Sequence, residues 1–294
     1  EAEMGALNQQ APMDLRVNTV KSSFEIAASK LRDEHITALP CPYAPMALRV
    51  QGNHNMGGVT AYKDGLVEIQ DEGSQLLSLM VDARPGQTVI DFCAGAGGKT
   101  LSLAALMSDH GALEGNLIAC DIFSKRLDRM KPRLERAGAP SVTLKTLSSE
   151  DDPWVNENAG TADRVLLDVP CSATGIWRRD PDAKWRLQPD ELEETIQTQR
   201  RILASAAQLV KPGGRLIYAT CSVLIEENED QVAWFLDHTD DFSLVEAEDI
   251  WSQCIGGDAP GIGGDAPPVK DGFMRLSPAS TGTDGFFCAI LMRT

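Results

Sequence analysis

The sequence predicts an α/β chain: a doubly wound, mostly parallel sheet preceded by a small α+β module. Three observations predict it. Five short apolar runs, TVIDFCAG (88–95), NLIACD (116–121), VTLKTL (142–147), RVLLDVPC (164–171) and RLIYATCS (215–222), alternate with helix-like stretches. Runs of that kind are buried on both faces, as strands of a parallel sheet with helices on either side are. The first run leads straight into a glycine-rich turn that opens a helix. Residues 1–68 lack this rhythm.

Within 1–68, LRVNTV (15–20) reads as a strand and FEIAASKLRDE (24–34) as a helix. The stretch ITALPCPYAPMALRVQG is broken by Pro40, Pro42 and Pro45. Proline removes a ladder donor, so this is a loop leading to an edge strand. The domain boundary is drawn between 68 and 69. Beyond it, the helices are KTLSLAALMS (99–108), KRLDRMKPRLERAG (125–138) and ELEETIQTQRRILASAAQLV (191–210). The last is followed by KPGG, which reads as a helix stop. Residues 256–272, with GGDAP twice, read as a flexible loop, and FFCAILM (286–292) as a final strand.

Composition narrows the function. The chain has 294 residues, is 43% hydrophobic and carries a formal charge of −16. It is long enough for two domains and apolar enough to bury a core. No apolar run approaches the 18 residues of a membrane span, and no signal peptide is visible. The chain opens on Glu1 rather than Met, which reads as part of a longer or processed chain. Seven cysteines, none in a CxxC pair, suit a reducing cytosol and predict no metal site. A large negative charge argues, as a global average, against a nucleic-acid partner.

The turn DFCAGAGGKT (91–100) sits where an α/β sheet binds its ligand. A phosphate-binding P-loop would need glycine where Cys93 stands. A dinucleotide fingerprint would need glycine where Thr100 stands. Each fails by one residue. An S-adenosylmethionine loop, in which small residues let the backbone bend close around the cofactor, is the third reading. Asp121 closes the second strand, where a carboxylate can accept from both ribose hydroxyls. Its competing reading is a cap on the next helix; beside the glycine loop, the ligand reading is favoured.

DVPCSATG (168–175) and ATCS (219–222) end two strands joined by one long helix. A right-handed crossover places such strands side by side. Asp168, Cys171 and Cys221 then converge at the carboxyl edge of the sheet, beside the glycine loop. Cys41, Cys120, Cys254 and Cys288 read as small buried hydrophobes. The chemistry that needs two thiols and a carboxyl group is attack on a pyrimidine. Carbon 5 of cytosine is a poor nucleophile until a thiolate adds to carbon 6, and a carboxyl group at N3 assists by sharing a proton. No histidine lies near either cysteine in sequence, so a Cys-His protease dyad has no local support.

DFCAGAGGKT, DVPCSATGIWRRDPDAKW, YATCSVLIEENEDQV and DGFFCA resemble the Sun/RsmB (Fmu) group of RNA cytosine-5 methyltransferases. LRVN and GLVEIQDEGSQL match as well, so the resemblance covers nearly the whole chain. It implies a class I S-adenosylmethionine-dependent methyltransferase with a Rossmann-like seven-stranded sheet, making 5-methylcytosine in RNA, ribosomal RNA first, as a cytoplasmic monomer. It implies Cys221 as the nucleophile toward carbon 6 and Cys171 as the group that helps release product. Asp168 would contact N3 and the amino edge, and Lys99 would face the methyl-transfer site. Cofactor contacts would come from Cys93, Ala94, Gly95, Ala96, Gly97, Gly98 and Lys99, and from Asp121, Arg126 and Asp168. Asp151 would lie near adenine, with Glu150 as the alternative. The usual CAAPGGKT, PCSGTG and DEASQ of the group read here with Ala96, Ala173 and Gly73; none of these departures removes a reactive group. Long members also carry an N-terminal helical domain outside this sequence, so the RNA target is left open. A tRNA, DNA or small-molecule substrate, or a non-catalytic RNA-assembly role, are the alternatives.

RNA contacts are expected from IWRRDPDAKWR (176–186), where Arg178, Arg179, Lys184 and Arg186 can hold phosphates and Trp177 and Trp185 can stack on bases. The competing reading packs the tryptophans on the core. The target base must leave its stack, which favours single-stranded or loop RNA. The helix 125–136, with six bases and two acids, reads as a solvated face. The charge itself is polarised. Residues 226–265 hold twelve acids and no Lys or Arg, and are expected to face away from RNA.

Overall fold

The computed structural model describes residues 1–256 and 266–294. The N-terminal elements are α1 (Ala2–Leu7), β1 (Met13–Val17), α2 (Phe24–Asp33), β2 (Ala38–Pro40), β3 (Ala47–Val50), α3 (Thr60–Lys63) and β4 (Val67–Ile69). The strands form an antiparallel sheet in the order β2-β3-β1-β4. Leu15, Val17, Leu48 and Val50 point to one face by strand alternation and bury against Ala27 and Leu31 of α2. Ser23 caps α2 by accepting the Ile26 N–H. The strand after the proline-rich loop is not at the edge. β3 is interior, and β2 takes the edge with Pro40 at its last position, where a missing donor is tolerated. β1 stops at Val17 because Asn18 turns away to donate to the carbonyls of Gly65 and Ala137, each at 2.8 Å.

The remaining elements are α4 (Glu72–Met80), β5 (Thr88–Asp91), α5 (Gly98–Leu106), the hairpin β6 (Ser108–Asp109) and β7 (Ala112–Leu113), β8 (Asn116–Asp121), α6 (Ser124–Ala137), β9 (Thr143–Thr146), α7 (Pro153–Glu157), β10 (Ala162–Asp168), α8 (Ala183–Arg186), α9 (Pro189–Ala207), β11 (Val210–Thr220), α10 (Glu229–Asp237), β12 (Phe242–Val245), α11 (Ala247–Cys254), β13 (Val269–Lys270), β14 (Phe273–Leu276), α12 (Pro278–Thr281) and β15 (Phe286–Arg293). Five parallel strands run in the order β9-β8-β5-β10-β11, and antiparallel β15 follows. The outer edge of β15 is shared: β12 pairs with residues 290–293 and β14 with 286–288. The expected seven strands are present, and the β13–β14 hairpin raises the count to nine.

Two apolar layers sandwich this sheet. Leu166, Ile217, Ala219 and Ile290 face α4, α5 and α6; Val165, Leu167, Leu216 and Tyr218 face α9 and α10. That explains the near-continuous apolar runs. Two expected boundaries move. Helix α9 ends at Ala207, and KPGG lies inside β11, where the register with β10 shifts between Ala162 and Arg164 and Gly213 takes φ +73°. The glycines form a bulge and do not stop the helix. The loop expected at 256–272 lies largely outside the described residues, but Val269–Lys270 pairs with β14. Among the described residues, no helix is long and apolar enough to cross a membrane.

The two sheets are joined through α6. Glu68 of β4 is 2% exposed and binds both Arg133, at 3.2 Å, and Arg136. Arg136 also lies over the Tyr62 ring. Arg133 reaches on to the Ala96 carbonyl at 2.6 Å, and Lys21 binds the Arg136 carbonyl at 2.9 Å. The basic helix is therefore a strut and not a free solvated face. Glu68→Ala strips a buried partner from two arginines that are a quarter exposed or less. Solvent relieves part of that loss, so the expected cost is about 1–3 kcal/mol, read as a lower urea midpoint with an unchanged slope.

Candidate active site

The site grows from the carboxyl ends of β5, β8, β10 and β11. After β5 the chain turns through Gly95 (φ +55°) and Gly97 (φ +87°) into α5. A Cβ on Gly97 would lie 2.4 Å from the Met130 side chain, so this position is restricted to glycine by space as well as by φ. Asp121 clamps the turn: one carboxylate oxygen accepts the Gly95 N–H at 2.9 Å and the other the Phe123 N–H at 2.7 Å. Helix α6 begins at Ser124 without a side-chain cap, so the cap reading does not hold for Asp121. Arg126 lies 3.6 Å from Asp121 and stacks over Phe123.

A cavity of about 520 Å³ opens beside this turn, lined among others by Gly95, Asp121, Ile122, Phe123, Asp168, Cys171 and Cys221. Cys93 and Arg126 also line it. Ile122 and Phe123 are each 52% exposed although apolar. Glu150 lines the cavity and pairs with Arg201 at 2.7 Å, whereas Asp151 is exposed and absent from the lining. Of the two acids expected here, the structure brings Glu150, the alternative, to the cavity and leaves Asp151 outside its lining.

Asp168 of the cavity lining accepts from Lys99 Nζ through Oδ2 at 2.6 Å, and Lys99 Nζ lies 5.4 Å from the Phe286 ring centre. Burial alone would lower the Lys99 pKa, but the Asp168 carboxylate raises it overall. Cys171 Sγ and Cys221 Sγ are 3.4 Å apart. That is too long for a disulfide of about 2.05 Å, and all seven cysteines are free. The Cys221 hydrogen bond and burial, with the nearby Glu227 charge, push the Cys171 thiol well up. Either sulfur can donate across this contact.

The two cysteine loops rest on a polar network that the motifs did not reveal. Glu227 is 0% exposed. Its carboxylate accepts from the Ser172 N–H at 2.8 Å, the Ser172 hydroxyl, and Gln199 Nε2 at 3.0 Å. Gln199 also binds the Pro170 carbonyl at 3.0 Å. Asn228 donates to the Ser222 carbonyl and accepts from Thr220, and Gly175 N–H binds the Cys221 carbonyl at 2.9 Å. The acidic run 226–265 therefore does not face wholly away. Its second acid, Glu227, is a buried carboxylate under the reactive loops. The only sequence signal was an acid six residues after Cys221.

Two expected phosphate ligands are otherwise engaged. Arg178 binds Asp284 at 2.5 Å and its side chain is 5% exposed; Arg179 binds Asp71 at 3.0 Å and also Asp284. Burial and the Asp284 charge raise Asp71. The pairs tie the segment after Cys171 to the starts of α4 and β15 and leave neither arginine free for RNA. Lys184 and Arg186 stay at the surface, Arg186 paired with Asp180 at 2.7 Å.

A doubly wound sheet of this order, a glycine turn after its first strand and an acid clamping that turn define a class I methyltransferase. A family model described as 16S rRNA methyltransferase RsmB/F matches residues 78–292. A second, described as a ferredoxin-like domain of RsmF/B-like methyltransferases, matches residues 1–57. The chain belongs to the RsmB/F methyltransferase family. It is 34% identical over 288 residues to ribosomal RNA small subunit methyltransferase B of Salmonella paratyphi B, covering 98% of this chain and 61% of that protein. The chain thus spans about three fifths of the length of such relatives. The crystal structure of PH0851 superposes with a TM-score of 0.87 at 34% identity, over 100% of this chain and 62% of that one. A methyltransferase homolog protein from Pyrococcus horikoshii gives 0.80 at 27%, over 100% and 90%.

The cavity suits S-adenosylmethionine. Asp121 keeps lone pairs for ribose hydroxyls, and the exposed Ile122 and Phe123 offer apolar surface to adenine. Asp91, at the end of β5 and outside the cavity lining, has one buried oxygen with no hydrogen-bond partner among the described residues. The other Asp91 oxygen accepts from Thr100 at 2.6 Å. Burial pushes Asp91 up to about 7. The unfolded chain ionises it near pH 4, so without a ligand the folded state loses stability as pH rises from there through 7. Asp91→Asn is expected to match the parent near pH 4 and to be more stable at pH 8, by urea midpoints without cofactor. Ala173 adopts φ +56° at the turn after Cys171. Ala173→Gly should relieve about 0.5–1 kcal/mol net of the added unfolded-state freedom, read as a higher urea midpoint.

Proposed function

We propose that this protein transfers a methyl group from S-adenosylmethionine to carbon 5 of a cytosine in RNA, most of all ribosomal RNA. The observation that carries the reading is the pair of thiols 3.4 Å apart on neighbouring strand ends, with the Lys99–Asp168 pair beside them. The family supports an RNA substrate, and Salmonella relatives named for the small ribosomal subunit support ribosomal RNA. Residues 1–68 would form the RNA-recognition module and 69–294 the catalytic domain, in a cytoplasmic monomer.

The cofactor, when bound, supplies an electrophilic methyl group. The backbone of residues 93–98, Asp121, Ile122, Phe123 and Glu150 would hold it. Cys171 lies 3.4 Å from Cys221, the cysteine of the TC motif, which attacks carbon 6 as the thiolate, its proton having passed to solvent. That bond turns carbon 5 into an enamine-like nucleophile. Asp168, oriented by Lys99, faces N3 and the amino group and takes up the charge change there. Once carbon 5 carries the methyl group, water takes up its proton, the C–H electron pair restores the ring double bond, and Cys221 leaves carbon 6 as the thiolate. Cys171 then stands beside the departing sulfur. Lys184, Trp185 and Arg186 remain available to RNA; Arg178 and Arg179 are withdrawn as contacts.

Incubation with labelled cofactor and unmodified RNA tests this reading. Cys221→Ser should lower transfer by at least about 10³-fold. Cys171→Ser should leave protein on RNA as a denaturant-stable band. Undiminished transfer by Cys221→Ser would remove the assigned nucleophile. Transfer to DNA and not RNA would favour the alternative substrate.

A further inference from the structure

We propose that a second cavity, between α1 and the segment that follows Cys171, is a subsite for the RNA nucleotide flanking the target cytosine. The proposal rests on the RNA reading above and deepens it. The cavity measures about 340 Å³, and Asn8, Gln9, Gln10, Trp177, Pro181 and Lys184 line it. That volume lies at the small end of ligand pockets and accommodates one nucleotide.

Its lining matches a base joined to a phosphate. Trp177 Nε1 is buried and has no hydrogen-bond partner among the described residues. A buried indole N–H ordinarily finds an acceptor, and nucleobase edges present ring nitrogens and carbonyls. Gln9 and Gln10 are exposed, and their side-chain amides make no hydrogen bond among the described residues, so donors and acceptors are both free. Lys184 Nζ spans the mouth to Asn8 Oδ1 at 3.1 Å, which places a cation where a phosphate would enter. Beside it, Trp185 is 76% exposed, 5.3 Å from the same ammonium. An aromatic ring so far from any core is a stacking platform for a further base.

The cavity also lies close along the chain to the chemistry. Gly175 N–H holds the Cys221 carbonyl, and Trp177 follows two residues later, at most about 7 Å along the chain. A strand with its cytosine at Cys221 would carry its next base toward Trp177.

The test uses single-stranded oligoribonucleotides with one cytosine and each of the four bases on either side. The parent protein should favour one flanking base by about tenfold in kcat/KM, within the range of a buried hydrogen-bonded contact. Trp177→Phe keeps the ring and removes the N–H; it should reduce that preference to within about threefold through KM. Four-thiouridine at the flanking position should cross-link to peptides covering residues 4–10 or 177–184. Methyl transfer without any flanking preference, or a preference that survives Trp177→Phe with cross-links elsewhere, overturns the subsite and leaves the RNA reading standing. Cross-links to these peptides with no methyl transfer support the subsite and overturn the methylation reading.

Discussion

The carboxyl edge of the sheet depends on one buried carboxylate. Glu227 lies where no solvent reaches and is held by the Ser172 backbone, the Ser172 hydroxyl and Gln199. Parallel pairing of β10 and β11 brings the cysteine loops together, but strand ends alone do not fix the loops beyond them. Glu227 anchors the first loop one residue past Cys171. Its neighbour Asn228 anchors the second one residue past Cys221. A buried acid is tolerable only when its lone pairs are satisfied, and here the groups satisfying it belong to the structures that must be positioned. The same charge raises the proton affinity of Cys171, so one residue contributes to both the shape and the protonation of the thiol pair.

Much of this was legible because it is written locally. The five apolar runs follow from burial of a parallel sheet on both faces. The glycine turn declares itself through Gly95 and Gly97, whose φ values other residues resist. Asp121 and the cysteines were legible by their places at strand ends. What escaped is written over long separations. Arg178 and Arg179 have the composition of phosphate ligands, yet their counterions are Asp284 and Asp71, 106 and 108 residues away. Nothing near the arginines signals those acids. Glu227 escaped for the opposite reason: it stands in an acidic run where one more acid conveys nothing. KPGG misled because the same glycines serve a helix end or a strand bulge, and the pairing of Ala162 with Val210 selects the bulge.

The family match and the geometry support each other at different scales. The family models cover most of both sheets and establish descent. The distances between Lys99 and Asp168 and between the two sulfurs supply what a family name does not: which groups can exchange protons and which are held apart.

The strut through α6 has a consequence for how ligands communicate. Arg133 holds Glu68 of the small sheet with one part of its guanidinium and the Ala96 carbonyl of the glycine turn with another. A molecule that grips the small sheet and one seated in the turn therefore pull on the same side chain. If one ligand alters the other's affinity through this link, thermodynamic reciprocity makes the two effects equal. Whatever binds at either end then shares one coupling free energy, to which Arg133 contributes directly.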